Sequence, residues 1–144
     1  NNIIGFPHET RELAFDTVRL NRQFDCSDRS AYVFTPFQGT PLRAECDRLG
    51  LTKPDQIVKS SEPDTAALDM PQFPRSEVLG LVKTFNMYVN FDEDRWPEIR
   101  LAEGNTREAG ERFAALKEEF IANYWSKDWK APDLGLPDAL VETQ

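Results

Sequence analysis

Apolar residues recur along this chain with two different periods. Residues 2–6 hold adjacent Ile3 and Ile4 between polar Asn2 and the turn formers Gly5 and Pro7, the run expected of a strand buried on both faces. A second run of this kind, residues 30–35, joins Ala31, Tyr32, Val33 and Phe34 before Pro36 stops the ladder. Between them Leu13, Ala14, Thr17, Val18 and Phe24 follow helical spacing, with Thr10 to cap and Glu12 in the first turn. A helix over 11–23 follows. The next helix, 41–49, is marked by Thr40 as cap, Pro41 at its first position, Leu42, Cys46 and Leu49 on one face and Gly50 to close it.

Residues 52–74 break the periodicity. Pro54, Pro63, Pro71 and Pro74 predict a long connection with one short helical turn near Gln56. Beyond it, Val78, Leu81, Val82, Phe85, Tyr88 and Val89 form a wide apolar face on a helix over 75–89. Trp96 and Pro97 start a short helix that ends near Gly104. Asn105 with Glu108 forms a capping box for a last long helix carrying Ala109, Phe113, Leu116 and Phe120. Past Trp125 the pattern fades, and 126–144 read as an irregular tail. The order strand, helix, strand, helix and then helices alone predicts an α/β fold with a mainly helical C-terminal region.

Composition narrows the function classes. The 144 residues suit a single domain or part of one, and no apolar run approaches the roughly 20 residues of a membrane-spanning helix. A formal net charge of −8, with 17 Lys and Arg scattered along the chain, argues against nucleic acid and anionic membranes as partners. Two cysteines, Cys26 and Cys46, fit a reducing cytoplasm better than a disulfide scaffold. The opening at Asn1 reads like a strand entered midway, without the features of a secretory signal, so an upstream part of the same protein is the first expected partner.

Most searches for catalytic groups fail. One histidine, His8, builds no relay or multi-histidine metal site, and its place in a strand-to-helix turn suits a capping or surface role. Cys46 lies on an apolar helix face and Cys26 in a loop, with no companions at metal-ligand spacing. Acidic pairs such as Glu118 and Glu119 belong to solvated faces. What remains is the pair of loops leaving the two strands, where parallel α/β sheets and barrels form their ligand sites.

Those loops carry a family likeness. Ile3, Gly5, Phe6, Pro7, Glu9 and Thr10 resemble the Ile-x-Gly-hydrophobe-Pro-x-Glu-Thr turn of the radical S-adenosylmethionine superfamily, and Phe34, Pro36, Phe37, Gly39, Thr40, Pro41 and Leu42 resemble its Phe-x-Pro-hydrophobe-x-Gly-Thr-Pro-Leu segment. Leu68 to Phe73 and Lys83 to Val89 resemble the C-terminal extension of its cobalamin-dependent members. The likeness spans residues 1–125. It implies that 1–51 are the last two βα units of a partial parallel, TIM-like barrel, 52–74 a connection and 75–125 a helical extension.

It implies further that the parent protein cleaves S-adenosylmethionine reductively against a four-iron four-sulfur cluster, with cobalamin possible and an organic small molecule or lipid as substrate. By position, Ile3 and Gly5 would lie near the adenine, and Phe34, Thr35 and Pro36 would add apolar or main-chain contacts. The Cys-x3-Cys-x2-Cys cluster motif is absent from the chain, so no catalytic or metal-binding residue is assigned and the chain alone is expected to be inactive. Glu9 stands one position later than in the family's commonest form, and no ligand role follows for it. The alternatives are a helical interaction or oligomerisation module, with Trp96, Trp125 and Trp129 as anchors, and an unrelated α/β protein whose loops mimic these motifs.

Overall fold

The computed structural model describes residues 1–24, 29–53 and 55–125. Cys26, Pro54, Trp129 and the expected tail 126–144 lie outside the described residues. Strand β1 (Asn2–Ile4) pairs in parallel with β2 (Ala31–Val33), Asn2 opposite Ala31 and Ile4 opposite Val33. Helix α1 (Arg11–Asn21) joins them in a βα unit, and α2 (Pro41–Arg48) completes a second. Then come α3 (Pro63–Ala66), α4 (Arg75–Asn90), α5 (Trp96–Ala102) and α6 (Arg107–Asn123). The fold is α/β, mostly helical, around a small parallel sheet.

Both strands stop earlier than the hydrophobic runs predict. Gly5 turns the chain out of β1 with φ +96°, a conformation that side chains rarely adopt. The Glu9 carboxylate then accepts the N–H groups of Gly5 and Phe6, removing them from any ladder. On the other strand Phe34 still donates to the Ile4 carbonyl at 2.8 Å, after which Pro36 ends the pairing.

The expected caps at Thr10 and Thr40 form, their hydroxyls accepting from Leu13 N and Arg43 N. The last cap shifts by one residue. Thr106, not Asn105, accepts from Ala109 N at 3.1 Å, so Glu108 falls outside capping-box register. Helix α2 departs from its expected face as well, burying Arg43 with Cys46 and leaving Leu42 exposed.

The connection 52–74 is less open than its prolines suggest. Its helical turn forms at Pro63, where proline suits the first position, rather than near Gln56. Ala66, Ala67, Leu68, Met70 and Phe73 are all buried. Arg43 ties the start of this segment down, donating to the carbonyls of Lys53 and Gln56.

Helix α4 is the axis of the core. It packs against β2, α1, α5 and α6, and its Val78, Leu81, Phe85 and Tyr88 are fully buried. Gly80 lets the end of α5 approach it, because a Cβ there would stand 2.7 Å from that of Glu103. Arg22, just past α1, satisfies the far end of α4 by donating to the carbonyls of Tyr88, Val89 and Phe91. The βα half and the helical half therefore share one core. No helix among the described residues is long and apolar enough to cross a membrane.

Candidate functional site

The loops after β1 and β2 lie side by side, with the Phe6 and Phe34 rings 4.8 Å apart. Beside them opens an apolar groove of about 740 Å³. Ile3 and Tyr32 contribute from the sheet, Phe34 and Phe37 from the second loop, Leu42 from α2 and Val82 from α4. Ile3 is 50% exposed and Tyr32, its partner across the ladder, 55%, whereas Phe34 is only 6% exposed and anchors the floor.

Of the five residues singled out by the sequence, Ile3, Phe34 and Thr35 line this groove. Gly5 and Pro36 stand behind it with structural tasks of their own. Gly5 is buried, and a Cβ there would meet Val78 Cγ1 at 2.9 Å. Pro36 is buried too, its carbonyl accepting from Arg43 Nη1 at 3.3 Å.

The main chain of the two loops is largely engaged within the protein. Gly5 N–H donates to Glu9 at 2.5 Å, Phe6 N–H to the same oxygen at 3.2 Å, and Phe37 N–H to the Thr35 carbonyl at 2.9 Å. A flat ligand in the groove would therefore meet aromatic and aliphatic side chains more than those peptide groups. Burial raises the Glu9 carboxyl above its ordinary range, against the pull of the two N–H donors.

Two clusters of polar side chains hold the site in place, and sequence reasoning passed over both. At the rim, His8 adopts φ 69° and its Nε2 lies 2.8 Å from Glu45 Oε1 on α2. Hydrogen bonds first from Arg48 and then from His8 hold Glu45 down to about 2. This bridge links the first loop to the helix that follows the second.

The larger cluster centres on Glu103, whose side chain is 6% exposed. Arg11 grips it with two hydrogen bonds, of 2.6 and 3.1 Å; Tyr88 OH donates at 2.6 Å and Arg100 Nη1 at 2.7 Å. Burial and the adjacent Glu103 carboxylate push the Tyr88 phenol upward, so it remains a donor. Arg11 and Glu103 are 92 positions apart, a separation at which no local pattern signals a pair.

Among the described residues no three His, Cys, Asp or Glu side chains gather to hold a metal. Cys46 is sealed on the inner face of α2, as its position on that helix predicts, and burial pushes its thiol up. These residues do not fit an iron-sulfur cluster. The chain matches no protein-family model, no curated protein and no solved structure.

Proposed function

We propose that this chain is the C-terminal portion of a radical S-adenosylmethionine enzyme, whose apolar groove receives the adenosyl end of that cofactor when the parent protein is assembled. The observation that supports this reading is adjacency. The two segments that resemble the family's turns lie next to each other at the carboxyl ends of neighbouring parallel strands and border one apolar groove.

In this reading the two βα units belong to a partial TIM-like barrel, and the cluster ligands lie in the part of the parent that precedes Asn1. The chain's own residues supply apolar walls for a flat ring, chiefly Ile3 and Phe34, on loops braced by Glu9 and Arg43. The segments that resemble the cobalamin-dependent extension are largely core, with Leu68, Met70, Phe73, Phe85 and Tyr88 buried. Packing already accounts for their apolar residues, so cobalamin, like the organic or lipid substrate, is proposed on the resemblance alone.

The coding sequence upstream of Asn1 is expected to contain Cys-x3-Cys-x2-Cys. The parent, reconstituted anaerobically with iron and sulfide, is expected to release 5′-deoxyadenosine under strong reductant, and residues 1–144 alone to form no stoichiometric cluster and show no turnover. Ile3→Asn in the parent should weaken S-adenosylmethionine binding about tenfold through lost apolar contact, without unfolding it, because Ile3 is half exposed. Turnover by the 144-residue chain, or an inactive parent, overturns the assignment.

A separate expectation, self-association of the isolated chain, rests not on the helical module but on the open edge of β1. Asn2 N–H and Ile4 C=O face β2, so the main chain of Ile3 faces away from it. With Ile3, Tyr32, Phe37 and Leu42 exposed around one groove, the isolated chain is expected to self-associate. A two-fold axis would bring two β1 edges together antiparallel. Sedimentation should show a dimer that Ile3→Lys converts to monomer; a monomeric unmodified chain at high concentration defeats this expectation.

A further inference from the structure

A second concavity, of about 330 Å³, lies along the seam between α4 and α6 and shares no lining residue with the strand-end groove. Its floor is Met87 and Phe120, both buried, and its walls are Phe113, Ile121 and Trp125. Ile121 is 41% exposed and Trp125 47%, so apolar surface stands open to solvent here. Against this background two cations, Lys83 and Lys117, border the same hollow.

Lys83 is held in place. Its Nζ donates to the Gly104 carbonyl at 3.1 Å and sits 5.1 Å from the centroid of the Phe113 ring, and burial lowers its ammonium below the ordinary lysine value. Neither lysine has a carboxylate within ion-pair distance among the described residues, although the chain carries 25 acidic residues against 17 basic ones. The neighbouring Glu118 lines a different hollow, with Ile121 and Trp125 as the shared wall.

We infer that this seam is a binding site for a small amphiphile, an acyl or aryl chain ending in a carboxylate, whose apolar part fills the space between Met87, Phe113 and Phe120 while its anionic head meets Lys83 and Lys117. The size supports a small molecule over a docked helix. The volume is at the lower end of the range for ligand pockets, whereas a helix lying in a groove needs apolar anchor sites spread over two turns. The charge supports an anion over a neutral chain, since two lysines with no ion-paired carboxylate among the described residues border a mainly apolar hollow, which Asn86 also lines, in an acidic protein. The site is independent of the strand-end groove and of the chemistry proposed there.

The test is a titration of the intact 144-residue chain with decanoate, decanol and decyltrimethylammonium below their micelle concentrations, read by amide chemical shifts. Decanoate should perturb Met87, Phe113 and Ile121 saturably and bind about tenfold more tightly than decanol, the scale of one charge-assisted hydrogen bond. Lys117→Gln, at a position with no side-chain hydrogen bond to disturb among the described residues, should remove most of that preference and leave decanol binding unchanged. Ile121→Asp should abolish decanoate binding.

Equal affinity for decanoate and the cationic amphiphile overturns the inference. So does perturbation confined to residues around Ile3 and Tyr32, which would place the amphiphile in the other groove. Decanoate binding that appears only after removal of 126–144 would also overturn it, by assigning the hollow to the chain's own C-terminal segment.

Discussion

Gly5→Ala is expected to destabilise the chain by roughly 3 kcal/mol, the sum of a backbone penalty and an overpacking penalty. At φ +96° an alanine adopts a conformation that L-residues rarely adopt, and its Cβ arrives 2.9 Å from Val78 Cγ1 on the fully buried side of α4. The two parts can be separated. In a Val78→Ala background the added cost of Gly5→Ala should fall by about 1 kcal/mol, because the contact is gone and only the dihedral strain remains. Urea denaturation of the four proteins checks both numbers, and a Gly5→Ala cost below about 1 kcal/mol would show that this turn relaxes freely. The result bears on function as well. A Gly5 variant that loses ligand affinity says little about ligand contact, whereas Ile3, half exposed on the groove wall, is a cleaner probe.

Glu103→Ala should cost about 3 kcal/mol, because it leaves the Arg11 and Arg100 guanidinium groups and the Tyr88 hydroxyl without their shared acceptor. Full burial would argue for more. Arg11 and Arg100 reach solvent in part, however, and Glu77 stands 3.6 and 3.1 Å from them as a second acceptor. The neighbours should grade accordingly: Tyr88→Phe at about 1 kcal/mol for the lost hydrogen bond to Glu103 and the longer one accepted from Arg11, and Arg100→Ala at less than about 1 kcal/mol for a solvent-screened pair. Equal effects at Glu103 and Arg100 in thermal or urea unfolding would mean that Glu103 is not the hub of the cluster. Since Arg11 follows the first loop and Glu103 closes α5, this cluster couples the βα half to the helical half, and its loss should loosen the groove from a distance.

Much of the fold is legible in the sequence. Thr10 and Thr40 cap their helices because a hydroxyl at that position can reach the third helical N–H whatever the chain does elsewhere. The helix over α4 was readable because its apolar residues, Val78 to Val89, keep helical spacing for about three turns. Local signals of comparable strength misled at Asn105 and near Gln56. The cap falls on Thr106, next to Asn105, and the helical turn forms seven residues past Gln56, at Pro63, where Ala66, Ala67 and Leu68 are buried.

The sequence by itself determined the α/β character, the order of the elements, the burial of Cys46 and three of the residues that line the strand-end groove. The first three follow from periodicity, caps and turn chemistry, which act over a few residues; the groove residues Ile3, Phe34 and Thr35 follow from the family resemblance of the two loops. Only the tertiary structure decided that Gly5 serves the contact with Val78, that Arg43 rather than Leu42 turns inward, that Glu103 gathers Arg11, Tyr88 and Arg100, and that two lysines border the seam of α4 and α6. The physical reason is range. A buried group meets whichever neighbour the fold delivers, and pairs such as Arg11 with Glu103, 92 positions apart, leave no trace in local spacing.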